Sequence, residues 1–264
     1  MKQRIITGVI AAIGFLAILY LGDYVFHGLL WLMALIAFDE LVRMSKTGRT
    51  AIASIVGYFG VAIMVLPWNQ GDFAFGLNAE VWIWLCMLLL MTATVASKNK
   101  TPIDQSAILL FGVVYIGMGF HYMATTRWHE DGLLWTLLIF LCIWITDAGA
   151  YFTGWAIGKH PLWPSISPKK TVEGAMGGLI LSIAAAICFA IFSPELISLE
   201  QAALLGICIG IVGQVGDLIQ SAYKRTFGVK DSGTLLPGHG GVLDRTDSWL
   251  IVFPFVYLIL NVIS

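Results

Sequence analysis

Long apolar segments constrain the fold of this chain more than any other feature. The 264 residues are 58% hydrophobic and only 12% charged, whereas a soluble domain is about 45–50% apolar even with glycine included. A membrane-spanning helix needs about 20 mostly apolar residues. About nine such segments occur, at residues 5–22, 25–42, 51–67, 80–97, 106–124, 132–158, 172–193, 201–226 and 248–264. The sequence therefore predicts an all-α polytopic integral membrane protein with about nine transmembrane helices.

Short connections between these segments predict a single transmembrane domain over residues 1–264. Within it, we expect the spans of residues 1–125 to form a scaffold and those of residues 131–264 to carry the polar motifs. The first apolar segment is too long for a usual signal peptide and lacks a small-x-small cleavage site, so we interpret it as a retained span. The four cysteines all lie in apolar segments and are expected to be buried side chains.

Lysine and arginine are distributed asymmetrically between the connections. With nine spans, all but one of the 15 basic residues fall on the same side of the membrane as the N-terminus, and Arg127 is the exception. Cytoplasmic loops carry the excess of lysine and arginine in membrane proteins. This distribution predicts a cytoplasmic N-terminus, and it places the charged loops on the cytoplasmic face of the cell (inner) membrane.

The densest charged segment runs from Ser221 to Ser248, between two apolar segments. Charge beside a bilayer is costly and usually marks a functional site. Its cations suit phosphate oxygens, its carboxylates suit a divalent cation such as Mg²⁺, and its glycines permit close approach of the backbone to a ligand. These residues are Lys224, Arg225, Lys230 and Arg245; Asp231, Asp244 and Asp247; and Gly238, Gly240 and Gly241. The combination predicts a site for a metal–polyphosphate.

Two carboxylates, Asp147 and Asp217, lie inside predicted spans. Gln214, Asp217, Ser221 and Lys224 are spaced at i, i+3, i+7 and i+10, which places them on one face of a helix. This polar stripe leads from the membrane interior to the charged segment and favours a water-filled cavity. A structural polar contact between helices is the alternative for both carboxylates.

A second polar segment separates the sixth and seventh apolar segments. Pro168 prevents a helix from continuing through it, and Thr171 is suited to cap the helix that follows. Lys169 and Lys170 then lie at the positive end of that helix, an arrangement that suits a bound anion. A lysine pair that only sets topology is the alternative. Glu173, one step inside, is expected to pair with a lysine or contact a metal.

Several of these motifs resemble one enzyme family. The resemblance covers roughly the C-terminal half and is carried by Asp147-Ala148-Gly149-Ala150-Tyr151, by Ser167-Pro168-Lys169-Lys170-Thr171-x-Glu173-Gly174, and by Ser221-x-x-Lys224-Arg225-x4-Lys230-Asp231-x-Gly233-x2-Leu236-Pro237-x-His239-Gly240-Gly241-x-x-Asp244-Arg245-x-Asp247. The last of these segments is similar to the signature of phosphatidate cytidylyltransferases, also called CDP-diacylglycerol synthases, and the two upstream segments also resemble that family. The signature fixes more than a dozen positions, so a chance match is not expected.

The resemblance implies transfer of CMP from CTP to phosphatidic acid, giving CDP-diacylglycerol and pyrophosphate for phospholipid biosynthesis, with Mg²⁺ as cofactor and room for a second cation. Asp217 and Asp244 are the implied metal ligands, and Lys170 and Asp247 complete the expected catalytic set. The residues expected to bind substrate are Lys169, Lys224, Arg225, Lys230, His239, Arg245, Ser221, Asp147 and Glu173.

Two other functions remain open at this point. A CTP-dependent polyprenol or phytol kinase would transfer the γ-phosphate and release CDP. A cation- or proton-coupled transporter would use Asp147 and Asp217 as an ion pathway. The expected partners are CTP, phosphatidic acid and the lipid bilayer; a net charge of −1 gives no reason to expect nucleic acid. The sequence leaves open whether the chain acts as a monomer or a homodimer.

Overall fold

Helices account for most of the protein. The structure is a computed structural model that describes residues 2–66, 78–235 and 240–263, and 77% of it is helical. The helices are α1 (Lys2–Leu21), α2 (Asp23–Met44), α3 (Ile52–Met64), α4 (Ala79–Ala96), α5 (Ile103–Trp128), α6 (Gly132–Ile157), α7 (Val172–Phe192), α8 (Leu199–Thr226), α9 (Leu243–Thr246) and α10 (Trp249–Ile263). A helix lies at each of the nine predicted apolar segments, and the nearly all-α prediction is confirmed.

Six helices in the described residues are long and apolar enough to cross a membrane. They are α4, α5, α6, α7, α8 and residues Tyr24–Met44 of α2. Two further apolar stretches, residues Gly8–Leu21 of α1 and Ile52–Met64 (α3), are shorter, and α10 has 15 residues with Pro254 inside it. This architecture supports a membrane protein.

The chain divides into two compact units, and the first consists of residues 1–128 and 227–246. In it, α2, α3 and α5 pack closely because glycines of α3 and α5 leave space for large side chains of α2. A Cβ atom on Gly57 of α3 would lie 2.3 Å from the ring of Phe38, and one on Gly112 of α5 would lie 2.2 Å from Leu41. Phe38 is fully buried by this packing.

The second unit consists of residues 129–226 and 247–264 and is built on contacts between helix backbones. A Cβ atom on Gly174 of α7 would lie 2.7 Å from the carbonyl oxygen of Ala150 in α6. One on Gly178 would lie 2.7 Å from the carbonyl oxygen of Thr146. Small residues permit such close packing of membrane helices.

A β-hairpin joins α6 to α7 in the second unit. Its strands β1 (Pro161–Trp163) and β2 (Ser167–Thr171) are antiparallel. Pro168 is tolerated because a two-stranded hairpin has only edge strands. Thr171 ends β2 and caps α7, and its hydroxyl accepts a hydrogen bond from the amide of Gly174 at 3.1 Å. The cap was expected from the sequence, whereas the strands were not and are the exception to an all-α fold in the described residues.

Candidate active site

A cavity of about 430 Å³ in the second unit collects several of the predicted site residues. Its wall is formed by α6, α7, α8 and the hairpin. The charged and polar side chains that line it are Asp147, Lys169, Lys170, Thr171, Gln214 and Asp217, and Tyr151 and Trp155 add aromatic surface. The cavity thus combines carboxylates, ammonium groups and apolar surface, which suits a ligand with a phosphate group and an apolar part.

Lys170 and Asp217 form an ion pair in this cavity, joining β2 to α8. Both side chains keep about a third of their surface exposed, 28% and 30% respectively. The hydroxyl of Ser221, one turn along α8, donates to Oδ1 of Asp217 at 3.3 Å. Three predicted site residues therefore form one hydrogen-bonded group, and the pair leaves both charges accessible to a ligand.

The polar stripe predicted on α8 lies on that helix as expected, but its members differ in what they contact. The side-chain amide of Gln214 donates to the carbonyl oxygens of Ala175 at 3.1 Å and Gly210 at 2.8 Å. The bond to Ala175 joins α8 to α7, which gives Gln214 a structural role. Asp217 presents its carboxylate at the cavity, and Ser221 is hydrogen-bonded to that carboxylate.

Asp247 adds a third carboxylate to the electrostatics of the second unit. It lies between α9 and α10, and its Oδ1 accepts a hydrogen bond from the amide of Ser248 at 2.8 Å. Burial, followed by the negative charges of Asp217 and Asp147, raises the pKa of Asp247 to about 7, while the hydrogen bond from Ser248 and the charge of Lys224 oppose this rise. Asp217 and Asp147 therefore lie close enough to Asp247 to disfavour its ionised form, which a bound cation would stabilise.

The basic residues of this unit surround the hairpin and the end of α8. Lys169 lines the cavity, and Lys224 and Arg225 occupy the last turn of α8. The guanidinium Nε of Arg225 donates to the carbonyl oxygen of Ile166 in the hairpin turn at 3.3 Å. The C-terminal end of a helix favours cations, so Lys224 and Arg225 are favourably placed at the end of α8.

Glu173 has a different partner from the one expected. Its carboxylate accepts hydrogen bonds from the amides of Lys159 at 3.1 Å and His160 at 3.2 Å, and from Nδ1 of His160 at 2.5 Å. Glu173 is therefore paired with the side chain of His160 in the structure and not with a lysine side chain. These bonds tie the first turn of α7 to the entry of the hairpin.

The other predicted site residues belong to the first unit. Asp244 and Arg245 lie in α9, and Lys230 is an exposed residue of the segment before it. Oδ2 of Asp244 accepts hydrogen bonds from the amide of Ser232 at 2.7 Å, the hydroxyl of Ser232 at 3.0 Å and the amide of Gly241 at 2.9 Å. Asp244 thereby organises the loop that precedes it. His239 lies outside the described residues.

The sequence reasoning missed Glu40, near the end of α2. This carboxylate is 1% exposed and binds the same loop as Asp244, through Ser232, Val242 and Leu243. A signal was present, because an ionisable residue in a membrane helix marks a functional site by default. Glu40 was overlooked because it lies within three residues of the end of its predicted span, where a charge is ordinary.

In the described ranges, 2–66, 78–235 and 240–263, no three His, Cys, Asp or Glu side chains form a group that could hold a metal ion. The assignment of a cation to Asp217 and Asp244 stays a prediction. The two residues belong to different units, Asp217 to the second and Asp244 to the first.

Comparison with known proteins agrees with the resemblance in the motifs and extends it over the whole chain. The cytidylyltransferase family model matches residues 2–263. A phosphatidate cytidylyltransferase of Staphylococcus saprophyticus is 42% identical over 98% of this chain and 99% of its own length. That of Bacillus subtilis is 41% identical over 100% of this chain and 99% of its own length, and that of Staphylococcus aureus is 39% identical over 98% and 99%. With a match along its full length, the chain belongs to the cytidylyltransferase family.

Proposed function

We propose that this protein is a phosphatidate cytidylyltransferase, which converts CTP and phosphatidic acid to CDP-diacylglycerol and pyrophosphate. The observation that carries the proposal is the cavity of the second unit, where Lys169 and Lys170 of a family motif come together with Asp217. Relatives of that name that are 39–42% identical over almost the whole chain support the same reaction.

The reaction is a substitution at phosphorus. A phosphate oxygen of phosphatidic acid attacks the α-phosphorus of CTP, the new P–O bond forms, and the bond to the β-phosphate breaks to release pyrophosphate. Catalysis of such a step consists mainly of positioning and charge neutralisation. Lys169 and Lys170 would bind phosphate oxygens at the cavity. Lys224, Arg225, Lys230 and Arg245 would supply further positive charge for the triphosphate and the lipid phosphate.

The donor set of the second unit fits Mg²⁺. Asp217 and the hydroxyl of Ser221 hydrogen-bonded to it supply oxygen atoms, and Mg²⁺ is usually held by one or two carboxylates, with water and substrate phosphates completing its octahedron. The repulsion of Asp247 by Asp217 and Asp147 is a further reason for a cation there. When bound, Mg²⁺ would neutralise charge on the phosphates. We propose that Asp217 holds it; Asp244, which the family motif also implies as a ligand, belongs to the first unit.

We further propose that all nine apolar helices span the cell membrane, with the N-terminus in the cytoplasm. The lysine and arginine asymmetry supports this orientation, and it places the signature on the side where CTP is found. The acyl chains of phosphatidic acid would stay in the bilayer while its phosphate enters the cavity.

Purified protein incubated with CTP, phosphatidic acid and Mg²⁺ tests the function. We expect lipid-linked CMP and pyrophosphate in equal amounts, both abolished by EDTA and restored by added Mg²⁺. Release of CDP with a phosphorylated lipid would identify a lipid kinase. Ion flux into liposomes with no lipid product would identify a transporter. Either result would overturn the proposal.

A further inference from the structure

A buried carboxylate outside the family signature holds the signature loop in place. Glu40, in α2, accepts hydrogen bonds from the amide of Val242 at 2.8 Å, the amide of Leu243 at 3.0 Å and the hydroxyl of Ser232 at 2.7 Å. All three donors come from the segment that also carries Asp244 and Arg245. One side chain from the N-terminal half thus binds both ends of the loop of residues 232–243, called the signature loop below.

Two glycines of the loop make room for this carboxylate. A Cβ atom on Gly241 would lie 2.3 Å from Oε1 of Glu40, and one on Gly233 would lie 2.6 Å from the same oxygen. Real Cβ atoms essentially never approach another heavy atom so closely. A side chain at either position would therefore have to displace the Glu40 carboxylate from its hydrogen bonds, and this accounts for two glycines of the signature.

Glu40 and Asp244 hold the loop from two sides. The hydroxyl of Ser232 lies 2.7 Å from Oε2 of Glu40 and 3.0 Å from Oδ2 of Asp244. A hydroxyl has one proton to donate, so the two carboxylates share a single donor. A shift of Glu40 would release Ser232 and thereby change what Asp244 contacts.

The placement of Glu40 is costly unless the carboxylate is fully hydrogen-bonded. It lies in a helix apolar enough to span a membrane, and a buried polar group without partners destabilises a protein. Charge-assisted hydrogen bonds from two amides and a hydroxyl offset that cost. Both carboxylate oxygens of Glu40 act as hydrogen-bond acceptors in this arrangement.

We propose that Glu40 is a positioning residue for the transfer reaction: it acts through Ser232, Val242 and Leu243 to fix the backbone that presents Asp244 and Arg245. The proposal rests on the proposed function for its kinetic part. Its structural part, the anchoring of the loop, is independent of the reaction.

The variant Glu40→Gln tests the proposal with little change of size. Its amide nitrogen turns hydrogen atoms toward groups that are themselves donors, so at least one bond of Glu40 is lost. Because a misplacement of about 1 Å can cost about 100-fold in rate, we expect the kcat of the folded protein to fall by about 10- to 100-fold, with a smaller change in the KM for CTP. Glu80→Gln, an exposed carboxylate of α4 in the same unit, is the matched control and should keep the wild-type kcat.

Hydrogen–deuterium exchange gives a readout that does not depend on activity. We expect the amides of Val242 and Leu243 to exchange faster in E40Q than in wild type, while those of α6 and α7 are unchanged. Unchanged exchange at the two loop amides, or folded E40Q with the wild-type kcat, would overturn the proposal. If wild-type protein makes no CDP-diacylglycerol, the proposed function fails, and the exchange data still decide the anchoring.

A second pair of variants decides the matter if E40Q does not fold. Gly241→Ala introduces the clash with Oε1 of Glu40 and should lower kcat strongly, whereas Gly48→Ala, with no atom within 4 Å of its Cβ, should not. In the double variant E40A/G241A the clash is absent, so Gly241→Ala should lower kcat little beyond the effect of Glu40→Ala alone. Folded G241A with the wild-type kcat, or fully additive effects, would contradict the proposal.

Discussion

The ion pair of Lys170 and Asp217 shows how single residues serve chemistry more than stability. An ion pair that is partly exposed contributes only about 0–1 kcal/mol to folding, and both partners are 28–30% exposed. The pair nevertheless places an ammonium group and a carboxylate side by side at the cavity. A phosphate would compete with Asp217 for Lys170, and a cation would compete with Lys170 for Asp217, so substrate and metal can replace the pair without leaving a bare charge.

The first residue-scale prediction concerns Asp217. Asp217→Asn keeps the size and removes the charge, and we expect kcat/KM to fall by about 100- to 1,000-fold, as when one electrostatic contact to a transition state is lost. Steady-state kinetics on protein shown to be folded by its thermal unfolding curve measures the effect. Glu195→Gln, an exposed carboxylate outside the cavity, should behave as wild type.

Lys170→Ala differs in its expected kinetics. Removing a phosphate-binding cation should mainly raise the KM for CTP, with a smaller loss of kcat because charge moves toward the leaving pyrophosphate. A fall in kcat at unchanged KM would show that Lys170 acts only in the transition state. Wild-type values for both constants would remove Lys170 from the site.

The elements show which parts of the fold were accessible from sequence. Length and hydropathy placed a helix at all nine apolar segments, because a run of about 20 apolar residues has few alternatives in a membrane protein. The hairpin was not predicted, since five residues such as Ser167–Thr171 carry no strand periodicity. Glu40 was missed as a loop anchor because its partners lie 192, 202 and 203 residues away in the chain, and no local pattern encodes such a contact.

The element-scale prediction concerns the junction of β2 and α7. Thr171→Ala removes the cap bond to the amide of Gly174, and loss of such a cap costs about 1 kcal/mol. We expect a lower free energy of unfolding in a detergent titration and a higher KM for CTP, because Lys169 and Lys170 directly precede the cap. Thr171→Ser keeps the hydroxyl, so its free energy of unfolding and its KM for CTP should stay close to the wild-type values. If the serine and alanine variants have the same values, the cap is excluded as the cause.

At the scale of the whole molecule, the distribution of charge predicts the orientation in the membrane. Basic residues concentrate in alternate connections, which the positive-inside rule assigns to the cytoplasm. The helices themselves do not indicate the orientation, because a span is equally apolar whichever of its ends faces the cytoplasm.

Cysteine labelling tests this orientation. The natural cysteines, of which Cys188 is exposed, are first replaced by alanine. A cysteine introduced at Thr234 should then be protected from an impermeant thiol reagent in intact cells and react after lysis, whereas one at Glu130, in the connection between α5 and α6, should react in intact cells. Labelling at Thr234 in intact cells would show that this loop faces outward, which would contradict the proposed orientation and the nine-span arrangement.

The backbone contact between α6 and α7 has a consequence for how this protein can evolve. Every single-nucleotide missense change of a glycine codon adds a Cβ atom, and at Gly174 or Gly178 that atom would lie 2.7 Å from a main-chain oxygen of the opposite helix. No rotamer change relieves a collision with backbone. These positions should therefore be as intolerant of mutation as the charged residues of the cavity, and a survey of all single substitutions would detect them as essential although they touch no substrate.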